Sequence, residues 1–409
     1  MTEALGRSFA SLKIPNYRRF FEGQLVSISG NWMQTVAELW LILSLTGSGI
    51  AVGMTTALQF LPMLLVGAWG GLIADRVPKR GLLMTTQTLH MLPPLALLAL
   101  ALSGMVTPLA VFAVAFSRGI VNAVDYPTRQ AFVMEIVGSN RVVNAVSLNS
   151  VLVHSARIIG PALAGVLIAT VGVEPCFALN AASFAVMVVA LAGMDTEALR
   201  PAAIAPREPE AVRAGLRYVR ATPGLWIPLG LMAIVGTLGF NFQAILPLLA
   251  RFTFDGGASA YAALLCAMGV GAVVGALTTG ARGKVSPGLL AGAAIGFGAL
   301  ALLAAGMPSI ALEIAVLAPL GAASVTLAAS VNSALQLASE PSMRGRVMAL
   351  YSVVFLGSTP IGAPLAGWLS EAIDPRAALV MAGVAALTAG MLARVAFARV
   401  AADERLAAA

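Results

Sequence analysis

The chain has 409 residues, of which 59% are apolar and 11% charged, and its mean hydropathy is +0.90. That balance lies outside the range of soluble domains and places the protein in a lipid bilayer. A net charge of +7 would suit a nucleic-acid binder, but the basic residues are scattered through short loops between apolar runs, so no nucleic-acid partner is expected.

Twelve stretches reach the roughly 20 mostly apolar residues that a spanning helix needs: about 19–45, 50–74, 81–103, 107–126, 143–171, 175–194, 225–250, 258–280, 287–306, 309–334, 346–370 and 377–398. Their periods are helical and the runs are too long for barrel strands, which predicts an all-α membrane protein with no β domain. No cleavable signal peptide is expected, because MTEALGRSFASLKIPNYRRFF leads straight into a first span too long for an h-region. Cys176 and Cys266 are isolated and form no disulfide framework. With only His90 and His154 beside them, no metal site and no cofactor is expected.

Within span one, SISGNWMQTVAELW places Ser27, Asn31, Gln34 and Glu38 at spacings of four, three and four, one face of a helix. A charge at the centre of a spanning helix costs roughly 2.5–3.5 kcal/mol on insertion scales, so this stripe faces the bundle interior or a wet cavity. Glu38 is the carboxylate set deep in that span, and either proton loading or a helix-holding salt bridge accounts for it. The next loop, GGLIADRVPKRGLL, carries Gly71, Asp75, Arg76, Lys79 and Arg80. A carboxylate at a cytoplasmic helix end can cap the positive N-terminus of a neighbouring helix, and Asp75 is placed for that.

Span four repeats the polar pattern with Arg118, Asn122 and Asp125. Arg118 and Asp125 stand two turns apart, about 10 Å along the axis, too far for an easy local ion pair. A cavity role and a structural partnership both fit Arg118. Span five carries His154, Arg157 and then IGPALAG, in which Pro161 removes a backbone donor while Gly160 and Gly165 let another helix approach. The histidines fit proton relay or interhelical hydrogen bonding.

IGPALAG (Ile159 to Gly165) returns as IGAPLAG (Ile361 to Gly367), and SNRVVNAVSL from Ser139 is echoed by SMRGRVMALY from Ser342. The repeat divides the chain into two six-helix halves, about 1–194 and 224–409, joined by a linker of about 195–223. In that linker AVRAGLRYVR suits either an amphipathic helix on the inner membrane surface or a solvated connector. Span seven offers Asn241 and Gln243, about 200° apart on a helix, and span ten offers Asn332 and Gln336. Span eight holds Gly271 and Gly275, four residues apart, as a packing partner for span five.

With both termini inside, 21 of the 25 basic residues fall in cytoplasmic segments, only Arg251 and Arg376 fall outside, and Arg118 and Arg157 stay within spans. This is the positive-inside asymmetry. No GxxxxGK[ST] loop and no GxSxG elbow is present, so neither an ATPase nor a hydrolase is expected and energy comes from a gradient or a partner.

Gly71, Asp75, Arg76, Lys79 and Arg80 resemble the signature loop of the major facilitator superfamily, with Pro78 where that family usually has glycine. SLKIPNYRRFFEGQLVSISGNWMQ, DYPTRQAF and SMRGRVMALYS resemble its enterobactin-exporter and secretion-effector branch, and the likeness covers nearly the whole chain. The resemblance implies a cavity lined by spans one, four, seven and ten, and a gate in which Asp75 meets span eleven near Arg346. Arg76 would pair with an acidic residue at the inner end of span four, for which Asp125 is the available choice. Gly160–Pro161 resembles the kinked antiporter motif of exporters.

The function implied is proton-coupled export of a small amphipathic compound, such as a siderophore, macrolide or other drug, across a bacterial inner membrane. The carrier would be monomeric, with the substrate, protons and membrane lipids as its partners. A lysophospholipid flippase and a non-transporting receptor are the alternatives.

Overall fold

The computed structural model describes residues 10–138, 141–200, 211–282, 285–341 and 343–408, and these form helices with no strand among them. The first six long helices are α1 (Pro15–Thr46), α2 (Gly49–Arg76), α3 (Lys79–Leu102), α4 (Pro108–Val137), α5 (Val142–Thr170) and α6 (Glu174–Ala192). The linker segment supplies α7 (Ala211–Ala221). After it come α8 (Pro223–Leu238), α9 (Phe242–Leu248), α10 (Ala258–Arg282), α11 (Pro287–Ala305), α12 (Ile310–Ala338), α13 (Arg344–Gly357), α14 (Thr359–Ala372) and α15 (Pro375–Ala408). Lys284, Arg207 and the residues that open each copy of the longer repeat, Ser139 and Ser342, lie outside the described residues.

Local chemistry sets several helix ends. Thr107 caps α4 by accepting from the Ala110 amide at 3.3 Å, with Pro108 next in line, and Ser286 before Pro287 does the same for α11 through the Leu289 amide at 3.2 Å. Gly47 ends α1 at φ +62°, where a side chain would be strained, and returns its amide to Leu43 O at 2.8 Å.

Eleven described segments are long and apolar enough to cross a membrane. α1 has the length, 32 residues, but its polar stripe breaks the apolarity; with it the spans number twelve. Two expected spans are not continuous helices. Span seven is interrupted after Leu238, resumes as α9 at Phe242 and passes into a π-helical turn over Leu249–Thr253. At the break the amides of Gly239 and Phe240 both return to Val235 O. Span eleven breaks at Ser358 between α13 and α14, just ahead of Pro360, whose ring and missing donor prevent the turn from continuing. Span four, in contrast, runs past its expected end at residue 126, through Pro127 to Val137. Phe132, Val133, Ile136 and Val137 are buried there with Tyr17 and Phe20, and that packing outweighs the proline.

Two units pack separately, Met1–Gly47 with Leu58–Pro206 and Ser48–Ala57 with Arg207–Ala409. In the first, α6 packs on α1 and α3; in the second, α15 packs on α8 and α11, the corresponding spans. The heptamer repeat performs the same task in each. A Cβ at Gly160 of α5 would stand 2.5 Å from Ser29 O of α1, and one at Gly362 of α14 would collide with Thr237 O of α8. The first ten residues of span two belong with α14: Gly49 faces Gly367 O at a distance that excludes a Cβ, and Glu371 accepts from Ser48 Oγ at 2.6 Å and the Ile50 amide at 3.0 Å.

Candidate functional site

In the first unit the stripe of α1 folds into a buried network. Arg118 of α4 is 2% exposed, and its guanidinium forms an ion pair with Glu38 Oε2. It also donates to Asn31 Oδ1 at 2.8 Å and to Thr35 Oγ1 at 3.1 Å. Gln59 of α2, with its amide oxygen turned toward the guanidinium, accepts from both terminal nitrogens at 3.0 and 3.2 Å. Gly119 allows this approach: a Cβ there would stand 2.6 Å from Gln59 O and 2.8 Å from the Pro62 ring. Gln34 joins Glu38 to Asn180 of α6, which is itself held by Ser183 Oγ at 3.0 Å. A buried cation is tolerable because its donors meet acceptors from α1 and α2. Glu38 Oε1 is buried with no hydrogen-bond partner among the described residues.

A second cluster lies at Asp125, three residues beyond Asn122. Its oxygens accept from Thr86 Oγ1 at 2.6 Å, from Gln87 Nε2 at 2.7 Å and from Arg129 one turn on. Gln87 in turn accepts from Ser27 Oγ at 3.3 Å. The expected Arg76–Asp125 pair is therefore replaced by Arg129–Asp125, because Asp125 is buried inside α4 while Arg76 is exposed at the end of α2. The ion pair that ties this loop to the C-terminal end of α4 is instead Lys79–Glu135, at 2.7 Å and nearly buried. Arg80 caps the C-terminal end of α6 through Leu191 O and Ala192 O, at 2.7 and 2.8 Å. Asp75 is exposed and has no hydrogen-bond partner among the described residues. Gly71 has open space around it, whereas its neighbour Gly70 packs so tightly on Ala123 O that a Cβ would collide.

Arg157 is half-buried, over the ring of Trp32 at 5.1 Å, and His90 stacks on Phe184 with ring centroids 5.1 Å apart. Pro161 and Gly165 are buried within α5. Asn122 is half-buried.

In the second unit Asn241 sits at the break of span seven, buried, with its amide nitrogen on Thr237 O at 2.7 Å, and Gln243 is half-buried one residue into α9. Gln336 donates to Asn332 at 2.6 Å near the end of α12, and Gln336 is exposed. Gly271 and Gly275 of α10 meet Ala318 O and Ala322 O of α12, close enough to exclude a Cβ.

Thr35, Gln59, Thr86, Gln87, Arg129, Glu135 and Asn180 join these networks without belonging to the polar pattern of spans one and four. An isolated amide in an apolar run, as in ALQFLP and FALNAAS, was the available signal.

Twelve spanning segments in two halves, with buried charges on the first and fourth spans of the first half, define a membrane transporter of the major facilitator type. The chain matches the family model of transmembrane secretion effectors over residues 6–408 and belongs to that family, one of transporters rather than enzymes. It is a multi-pass membrane protein. It is 26% identical over 388 residues to the enterobactin exporter EntS of Escherichia coli, covering 92% of this chain and 91% of that one. The staphyloferrin A transporter of Staphylococcus aureus is 26% identical over 260 residues, 63% of this chain and 65% of its own length. Among solved structures, a bacterial homologue of the human lysosomal transporter Spinster superimposes with a TM-score of 0.72 at 15% identity, over 94% of this chain and 97% of that one. The nucleoside transporter NupG gives 0.69 at 14% identity, over 93% and 99%.

Proposed function

We propose that the protein is a proton-coupled exporter of a small amphipathic compound, of which a siderophore is the leading class. It would work as a monomer in the bacterial inner membrane with both termini cytoplasmic. The relatives whose names refer to enterobactin and staphyloferrin A support the substrate class, and the export named for EntS supports the direction.

The observation that carries the coupling is Glu38, whose Oε2 is held by Arg118 while Oε1 is buried and unpartnered. A proton arriving on that carboxylate cancels its charge and weakens its hold on Arg118, so proton binding and the α1–α4 tie are linked. Glu38→Gln keeps the shape but exchanges no proton near neutral pH. Reconstituted Glu38→Gln protein should catalyse counterflow yet fail to concentrate substrate when a pH difference is imposed. Accumulation equal to the parent's under the same pH difference removes Glu38 from the coupling role.

A further inference from the structure

The two intramembrane arginines of the first unit are in opposite chemical states. Arg118 has both terminal guanidinium nitrogens occupied, by Glu38, Asn31, Thr35 and Gln59. Arg157 has no carboxylate and no hydrogen-bond partner among the described residues, and its Nε is buried and unsatisfied. Its guanidinium lies over the face of Trp32, 5.1 Å away.

Position makes this state costly. Arg157 is fifteen residues from the start of α5 and thirteen from its end, which at 1.5 Å per residue puts it about 20 Å from either end. At that depth an unpaired cation facing lipid is unfavourable, and headgroup phosphates are out of reach. Arg157 and Trp32 are both half-exposed, so the pair is not sealed within the helix packing, although Nε itself is buried. Gly160, one turn on, holds this arrangement by letting α5 touch α1 at Ser29 and at the Trp32 Cβ, which is 2.6 Å from where its own Cβ would be. Tyr126 of α4, half-exposed, lies within electrostatic reach of Arg157, and Asn122 is one turn back on the same face.

We propose that Arg157 and Trp32 form the recognition element for an organic anion bearing a flat aromatic group; this rests on the carrier reading above and names its substrate class. The anion pairs with the free edge of the guanidinium, whose planar fork suits a carboxylate or phenolate, and the aromatic group extends the guanidinium–indole stack. Arg118 belongs to the scaffold that fixes α1, and hence Trp32, in place.

Equilibrium dialysis with purified full-length protein in detergent tests this with three probes: 1-naphthoate, the neutral isostere 1-naphthamide, and cyclohexanecarboxylate. In the parent protein naphthoate should bind at least about tenfold more tightly than naphthamide, and several-fold more tightly than cyclohexanecarboxylate. Arg157→Gln should abolish the preference for charge and Arg157→Lys keep part of it, while Trp32→Leu should abolish the preference for the aromatic ring. Equal binding of naphthoate and naphthamide by the parent, no binding of either, or an undiminished charge preference in Arg157→Gln overturns the site. The parent comparison needs no variant to fold. Counterflow in proteoliposomes scores the carrier reading separately: counterflow without charge preference refutes only the recognition element, and charge preference without counterflow refutes only the carrier.

Discussion

Arg118 and Glu38, 80 positions apart in sequence, form an ion pair in which the two side chains are 2% and 1% exposed, tying the fourth span to the first. Desolvating two charges is repaid only when both are present and their remaining donors and acceptors are satisfied. Arg118→Ala and Glu38→Ala should each destabilise the protein by roughly 3–5 kcal/mol, since each strands the other charge. The apolar pair Glu38→Leu with Arg118→Met should melt higher than either single variant. Fluorescence-detected thermal unfolding in detergent measures this, and a double variant no more stable than both singles contradicts it.

Gly70 and Gly71 are adjacent but face different surroundings. Gly70→Ala drives a methyl group into Ala123 O, and the overpacking should cost about 1–3 kcal/mol. Gly71→Ala enters open space and should leave the melting temperature near the parent's. Thermal unfolding of the two variants side by side decides it; the reverse order would contradict the packing of α2 on α4.

The basic loop separates a structural pair from a residue with no structural duty. Glu135→Gln leaves the Lys79 ammonium without its counter-ion, a loss of roughly 1–3 kcal/mol. Asp75→Asn removes no contact among the described residues, so its stability should match the parent's while transport falls if Asp75 serves the gate. Paired melting and transport assays test both statements. An Asp75→Asn protein with parental transport argues against gating, and one with lowered stability contradicts the contact map.

At the N-terminal end of α2, Glu371 accepts from Ser48 Oγ and the Ile50 amide, so it caps the first turn of that helix. Glu371→Ala should let that turn fray, seen as faster hydrogen exchange in the peptide covering residues 48–56, with little change elsewhere. Unchanged exchange there would show that Ser48, which accepts from the Ala51 amide at 3.2 Å, caps the turn alone.

The membrane class, the number of spans, the two-half division and the inward face of the α1 stripe follow from composition, period and repeat. Each of these depends on local or global apolarity, which sequence records directly. Partner choice is a different kind of information. The family resemblance pairs Asp125 with Arg76, but burial gives it Arg129, Thr86 and Gln87, and Lys79 takes Glu135. Likewise Gly271 and Gly275 read as helix-contact residues from their spacing, yet only the fold assigns them to α12. The persistence of α4 through Pro127 depends on what packs beside that turn. Most decisive is the difference between two arginines that look alike in an apolar run. A guanidinium is a charge wherever it sits, and whether its donors are filled, as at Arg118, or open, as at Arg157, is set by acceptors brought from distant helices.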